Sequence, residues 1–147
     1  MFSLSFRRDP DELRDLPTDP TTADIGDLEL ILMRQHVRLL ADNIVILDTL
    51  VPLLYMAGGL ALVKNLHDEG TAELGIPEGS LKLTFHRRGD NVTIREFIYS
   101  TEGSGTYQQL VEEWERFSQE ARSYLLSEFP ELRNHPQVGD WFRQDSG

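Results

Sequence analysis

The sequence predicts an antiparallel α+β fold, and three observations predict it. Two runs with apolar residues at alternate positions, Leu81 to Arg87 and Val92 to Tyr99, flank Gly89-Asp90 as two strands flank a two-residue hairpin loop. Residues 49–63 carry no charged side chain, and Leu50, Val51, Leu53, Leu54, Met56, Leu60, Leu62 and Val63 point in nearly every direction around a helix, so something must cover it on two sides. From Tyr107 onward the apolar residues fall on one stripe at i, i+3, i+4 spacing, the mark of a helix with one wet face. The expected architecture is an antiparallel sheet of five to six strands, a buried central helix at about 49–68 and a C-terminal amphipathic helix at about 107–128, layered in that order. A length of 147 residues suits a single domain over 1–147.

Taken in order, Phe2, Leu4 and Phe6 alternate with serines and read as a half-buried strand. Residues 7–26 hold Pro10, Pro17 and Pro20 among the acids Asp9, Asp11, Glu12, Asp15, Asp19 and Asp24, an acidic loop with at most a helical turn at 10–15. Loops of this length are commonly functional. Asp27 to Met33 reads as a strand with Leu28, Leu30 and Leu32 on one face, Arg34 to His36 as a turn, and Val37 to Ile46 as a second strand with a bulge at Ala41, Asp42 and Asn43.

The central helix is expected to start between 48 and 52, capped by Asp48 or Thr49 with Pro52 in its first turn, and to close at Gly70 in the left-handed conformation. Gly58 and Gly59 cost about 1 kcal/mol each against alanine in mid-helix, so they are expected where another backbone approaches closely. Two other coverings compete with a core position. A membrane span needs roughly 20 apolar residues, whereas this run is 15 long and bounded by Asp48 and Lys64. An interface between copies would also hide it, which leaves monomer and homodimer both open.

Thr71 to Leu74 reads as a short strand. The hairpin loop sets a register of Arg88 with Asn91, His86 with Thr93, Thr84 with Arg95 and Lys82 with Phe97. The core face then pairs Phe85 with Ile94 and Leu81 with Ile98, at the cost of placing Leu83 opposite Glu96. Ser100 to Gly105 reads as a flexible connection, and Thr106 with Gln109 as a capping box. Phe129-Pro130 ends the last helix, and a tail from 130 is pinned by Trp141 and Phe142.

Charge and composition narrow the function. The chain has 25 acids and 14 bases, a net charge of −11, which repels nucleic acid and anionic membrane and favours a basic protein partner. There is no cysteine, hence no disulfide, thiolate catalysis or cysteine metal site. The first residues place an apolar-leaning run ahead of Arg7 and Arg8, the reverse of a secretory signal, so a cytoplasmic location is expected. His67 and Asp68 are adjacent and would point about 100° apart on a helix, which suits a metal poorly; no metal or cofactor is expected. No GxSxG elbow or P-loop is present, and no catalytic residue is assigned.

Two groups of residues stand out as candidate sites. Lys82, His86, Arg88 and Arg95 line the wet face of the hairpin with Phe97 and Tyr99, and of these His86, Arg88, Arg95 and Tyr99 are the candidate ligand-binding set. Basic and aromatic residues on a sheet are what single-stranded nucleic acid platforms use, but the surrounding charge opposes that, and an acidic protein or a small anionic ligand fits the face as well. The second group is acidic: Asp11, Glu12 and Asp15 on the loop with Glu112, Glu115 and Glu120 on the last helix. They point to a non-enzymatic interaction module, of the kind in which an acidic inhibitor or immunity protein neutralises a basic toxin or nuclease. The alternatives are a domain binding an apolar small molecule between hairpin and central helix, and an enzyme using His86 or His36 with a nearby carboxylate.

Overall fold

The computed structural model describes residues 1–76, 81–98 and 100–144. Its strands form two antiparallel sheets where the sequence suggested one. The first has the order β1 (Phe2–Phe6), β2 (Arg34–Ala41), β3 (Ile44–Pro52), and the second the order β4 (Thr71–Gly75), β5 (Lys82–Arg88), β6 (Asn91–Glu96), β7 (Glu102–Thr106). The helices are α1 (Pro10–Arg14), α2 (Ile25–Leu30), α3 (Leu53–Lys64), α4 (Tyr107–Glu128) and α5 (Gly139–Arg143), with a 3-10 turn over Pro130–Asn134.

Several local expectations change, each for a physical reason. Residues 25–30 are helix, not strand: the Asp27 N–H donates to the Asp24 side chain at 2.9 Å, and the buried leucines are Leu28 and Leu32, four apart, while Leu30 is 51% exposed. Arg34 to His36 do not turn but begin β2. The turn lies at Asp42-Asn43, where both residues take positive φ (47° and 74°), the twist that a tight hairpin requires. The one irregularity in that ladder falls between Leu39 and Leu40. Thr49, Leu50 and Val51 extend β3 by pairing with Val37, His36 and Gln35, so α3 starts only at Leu53, whose N–H donates to the Met33 carbonyl at 3.1 Å.

At its other end α3 stops at Lys64, four residues short of expectation. Asn65 closes it through its backbone and side-chain N–H groups to the Ala61 carbonyl, and Tyr107 donates its hydroxyl to the Val63 and Lys64 carbonyls at 3.0 and 3.1 Å. The left-handed residue beyond is Glu69 (φ 60°), not Gly70. The predicted hairpin register is observed from Arg88–Asn91 to Leu83–Glu96, with Gly89 at φ 57°. β6 ends at Glu96, but the Phe97 N–H still donates to the Lys82 carbonyl at 3.0 Å, in the predicted register; Phe97 and Ile98 are exposed in the turn beyond, and no Leu81–Ile98 pair forms.

The layer order also differs. α4 packs against α3, against β1 of the first sheet and against β6 and β7 of the second, while α3 also touches both sheets, at β3 and β4. Trp114 is fully buried: its indole N–H donates to the Met56 carbonyl at 2.8 Å, and its ring lies 5.9 Å from that of Phe85 on β5. Three residues on, Phe117 meets Phe6 of β1 edge to face at 5.6 Å. α3 buries Leu53, Leu54, Met56, Ala57, Gly59 and Val63 but leaves Gly58 and Ala61 open, so the uncharged helix is wrapped less completely than its sequence implied.

The segment read as a flexible connection is β7, and its glycines let the two sheets meet. A Cβ on Gly103 would lie 2.5 Å from that of Ala41, and one on Gly105 would lie 2.7 Å from the Phe2 ring; Phe2 and Ala41 are themselves paired across β1 and β2. The free edge of β1 is covered by α4 side chains. The Phe2 N–H donates to Gln109 Oε1 at 2.9 Å, the Leu4 N–H to Glu113 Oε2 at 3.0 Å, and Arg116 Nη2 to the Leu4 carbonyl at 2.7 Å. Gln109 is therefore turned to β1, and of the expected capping box only the Thr106 half is made, with the Gln109 N–H donating at 3.2 Å. Burial opposes ionisation of Glu113, but the hydrogen bonds from Arg116 and Leu4 and the Arg116 charge outweigh it and hold the carboxyl below its ordinary value; the same pairing holds Arg116 more firmly protonated than a free arginine.

Two measurements test this packing. Gly103→Ala is expected to destabilise the chain by about 1–3 kcal/mol in a urea titration, since the nearest atom, the Ala41 Cβ at 2.5 Å, is fixed to the backbone and cannot rotate away. Because the Glu113 carboxyl is depressed on folding, its stabilisation is complete above the ordinary value of 4.5 and fades as pH falls through the folded value. Glu113→Gln is thus expected to cost about 1–2 kcal/mol at neutral pH, a gap that narrows as the pH falls below 4.5 and closes through the lowered folded value.

Candidate functional site

The wet face of the second sheet carries the predicted ligand-binding residues, and neighbouring strands supply acids to meet them. Lys82 lies 3.4 Å from Glu73 of β4 and over the Phe97 ring, Arg88 lies 3.8 Å from Glu69, and Arg95 faces Glu102 across the β6–β7 ladder. His86 sits half-buried between Thr71 and Thr93. Tyr99 lies outside the described residues. β4 and β7 thereby convert a basic hairpin face into a mixed, ion-paired one. His67, Asp68 and Glu69 brace the hairpin turn from outside: the Gly89 N–H donates to Asp68 Oδ1 at 2.6 Å.

The predicted partner-binding acids do not form one patch. Asp11 and Asp15 are exposed and Glu12 is half-buried at α1, which is tied to the far end of α4 by Arg14 donating to the Glu128 carbonyl at 2.8 Å. Glu112 lies near the start of α4, 16 residues from Glu128, or about 24 Å along a helix rising 1.5 Å per residue. Glu115 is paired with Lys64 at 2.9 Å and Glu120 with Arg116 at 2.7 Å, while Glu112 accepts only from Gln108. The acids of the loop are partly spent on local structure. Asp9 caps α1, Asp24 caps α2, and Asp19 closes a turn by accepting from the Thr21 N–H and hydroxyl, which lowers its carboxyl pKa.

The structure adds a groove of about 200 Å³ on the flank of α3, lined by Leu54, Tyr55, Gly58, Gly59, Leu62 and Leu74 with Glu29 of α2 at its rim. Tyr55, Gly58 and Leu62 share one helical strip at i, i+3, i+7. The Tyr55 hydroxyl donates to the Gly75 carbonyl, and burial together with the Glu29 carboxylate pushes its pKa up. Glu29 has no cation within ion-pair distance among the described residues. Beside it, α2 and its cap leave Ile25, Leu30 and Ile31 substantially exposed.

The two adjacent glycines of α3 divide their roles. Gly59 is where the Trp114 ring sits, 2.8 Å from where a Cβ would be; Gly58 would meet nothing within 4 Å and forms the floor of the groove. The glycine pair was the one sequence signal for this site, and only the packing of Trp114 shows which glycine faces inward.

No family model, curated protein or solved structure matches this chain. Its chemistry must therefore be read from the geometry. His36 does meet a carboxylate, with Nε2 bonded to Asp48 and Arg38 at 3.6 Å from the same group, but this triad lies on the open face of the first sheet beside Ser5 and Arg7, in a shallow cleft with one apolar wall, Phe6. Among the described residues no group of three or more His, Asp or Glu side chains is placed to hold a metal ion, and no helix is long and apolar enough to cross a membrane.

The division between the glycines is directly measurable. Gly58→Ala is expected to raise stability by up to about 1 kcal/mol, the helix-propensity difference with no steric charge against it, whereas Gly59→Ala is expected to lower it by about 1–3 kcal/mol through displacement of the indole. Urea denaturation of the two single variants decides both signs.

Proposed function

We propose that this chain is a non-enzymatic interaction module that binds a basic protein partner, as an acidic inhibitor or immunity protein does, and that the groove on α3 is the anchor point. The observation that carries the reading is the groove itself: apolar walls, an open glycine floor and one unpaired carboxylate at the rim. A lysine or arginine side chain has the matching form, an apolar stem ending in a cation. Its stem would lie along Leu54, Leu62 and Leu74 over Gly58, and its head would reach Glu29. Side chains desolvated in such a pocket carry a disproportionate share of binding energy. The exposed Leu30 and Ile31 extend apolar contact beside the groove, and the net charge of −11 favours fast encounter with a cationic surface.

The test uses the full chain as bait in extract at low salt, followed by binding kinetics on the captured protein. The expected partner is basic, with an on-rate that falls about tenfold or more as salt is raised from roughly 50 to 500 mM. Glu29→Lys, at the half-buried rim, and Gly58→Phe, at the exposed floor, are expected to weaken binding about tenfold or more, while Asp11→Asn and Glu112→Gln alter mainly the on-rate. Binding indifferent to salt and to both groove variants would overturn the reading.

A further inference from the structure

A second site emerges at the other end of α4, where three arginines of an acidic chain converge. Arg122 occupies the buried face of the helix, one turn beyond the buried Ser118, and is only 7% exposed. Its guanidinium lies over the Trp141 ring, 5.4 Å from the centroid, and its one hydrogen bond runs from Nη1 to Gln144 Oε1 at a long 3.4 Å. Among the described residues no carboxylate answers it. A guanidinium offers five N–H donors, and burying its charge without a counter-charge is costly.

The cleft into which it opens has a volume of about 460 Å³ and is walled by Arg133, Arg143, Ser123 and Gln144 on one side and Leu126 and Phe142 on the other. Arg143 donates to the Asp140 carboxylate and to the Arg133 carbonyl, which fixes α5 against the 3-10 turn. Arg133 makes no ion pair or hydrogen bond through its side chain among the described residues. Among the described residues, three cations thus stand against the single acid Asp140, a local excess of two positive charges in a chain of net −11. On the hairpin face Lys82, Arg88 and Arg95 stand opposite Glu73, Glu69 and Glu102, one acid to each cation, and in the first-sheet cleft Asp48 is set against Arg7 and Arg38, an excess of one.

We propose that this cleft binds a small organic phosphate, with the dianionic phosphoryl group held by Arg122, Arg133 and Arg143 and by the Ser123 hydroxyl, and its organic part against Leu126 and Phe142. The charge of a phosphomonoester matches the local excess, planar guanidinium forks suit phosphoryl oxygens, and the apolar wall gives the rest of the molecule a place. The site is independent of the groove on α3 and stands whether or not that groove takes a basic partner.

Phenyl phosphate titrated into the full chain tests this, read by melting temperature and by tryptophan fluorescence, since Trp141 stacks on Arg122. The expected result is a saturable rise in melting temperature with millimolar or tighter affinity, a weaker response to benzoate and none to phenol. Arg133→Gln, which disturbs no contact of the fold, is expected to weaken binding about fivefold or more, and Arg122→Lys, which keeps the charge but loses the fork, to weaken it further. Arg7→Gln with Arg38→Gln, in the first-sheet cleft, should leave binding unchanged. An absence of saturation, equal binding by Arg133→Gln, or loss of binding through the Arg7 and Arg38 changes would overturn the proposal.

Discussion

The burial of one indole organises this molecule. Trp114 reaches from α4 to the backbone of α3, where it donates to the Met56 carbonyl and rests on Gly59, and it faces Phe85 of the second sheet. A buried indole must satisfy its N–H and find a surface flat enough for its ring. A carbonyl one turn from a glycine on a neighbouring helix provides both. With Trp114 fixed, Phe117 comes to Phe6 of the first sheet, and one helix is held against both sheets.

Polar side chains complete the packing where backbone pairing stops. Gln109, Glu113 and Arg116 of α4 take up the outward N–H and C=O groups of β1, so the edge strand is finished by a helix flank where a fourth strand could have paired. Gln35 does the same for the acidic segment: its buried amide accepts from the Asp9 N–H at 2.6 Å, donates to the Asp9 carbonyl at 3.0 Å, and accepts from the Tyr124 hydroxyl at 3.3 Å. His135, also buried, bonds the Ala23 carbonyl through Nε2 and accepts from the Gln137 and Val138 N–H groups through Nδ1, tying the C-terminal turn to the start of α2. The bonds from α4 to β1, from Tyr124 to Gln35 and from His135 to Ala23 span 89 to 112 residues of sequence and leave no periodic trace in it.

Charge follows a similar division. The composition shows how many acids there are, but the fold decides which are engaged. Asp9, Asp19 and Asp24 hold helix starts and a turn, Glu113 holds a strand edge, and Glu115 and Glu120 sit in ion pairs. Cations are sorted too. Those of the hairpin meet the nearby acids Glu73 and Glu69, whereas Arg122, Arg133 and Arg143 collect around one cleft with a single acid beside them among the described residues.

What the sequence by itself determined are the features set by neighbours in the chain. The amphipathic stripe of α4, its Thr106 cap, the Gly89-Asp90 hairpin and its register from Arg88 to Leu83 all rest on periods of two or 3.6 and on the backbone freedom of glycine. Only the tertiary structure decided the rest, because the alternatives were close in local energy. Thr49 to Val51 suit a strand or a first helical turn until β2 offers partners, and Leu28, Leu30 and Leu32 suit either until a core must be filled from one side. Glu102 to Thr106 has no apolar side chain to announce a strand, and it becomes one because only glycines let β7 approach Phe2 and Ala41 so closely. Both candidate sites depend on such long-range choices: the groove on which glycine receives Trp114, and the arginine cleft on where the C-terminal turn brings Trp141 against α4.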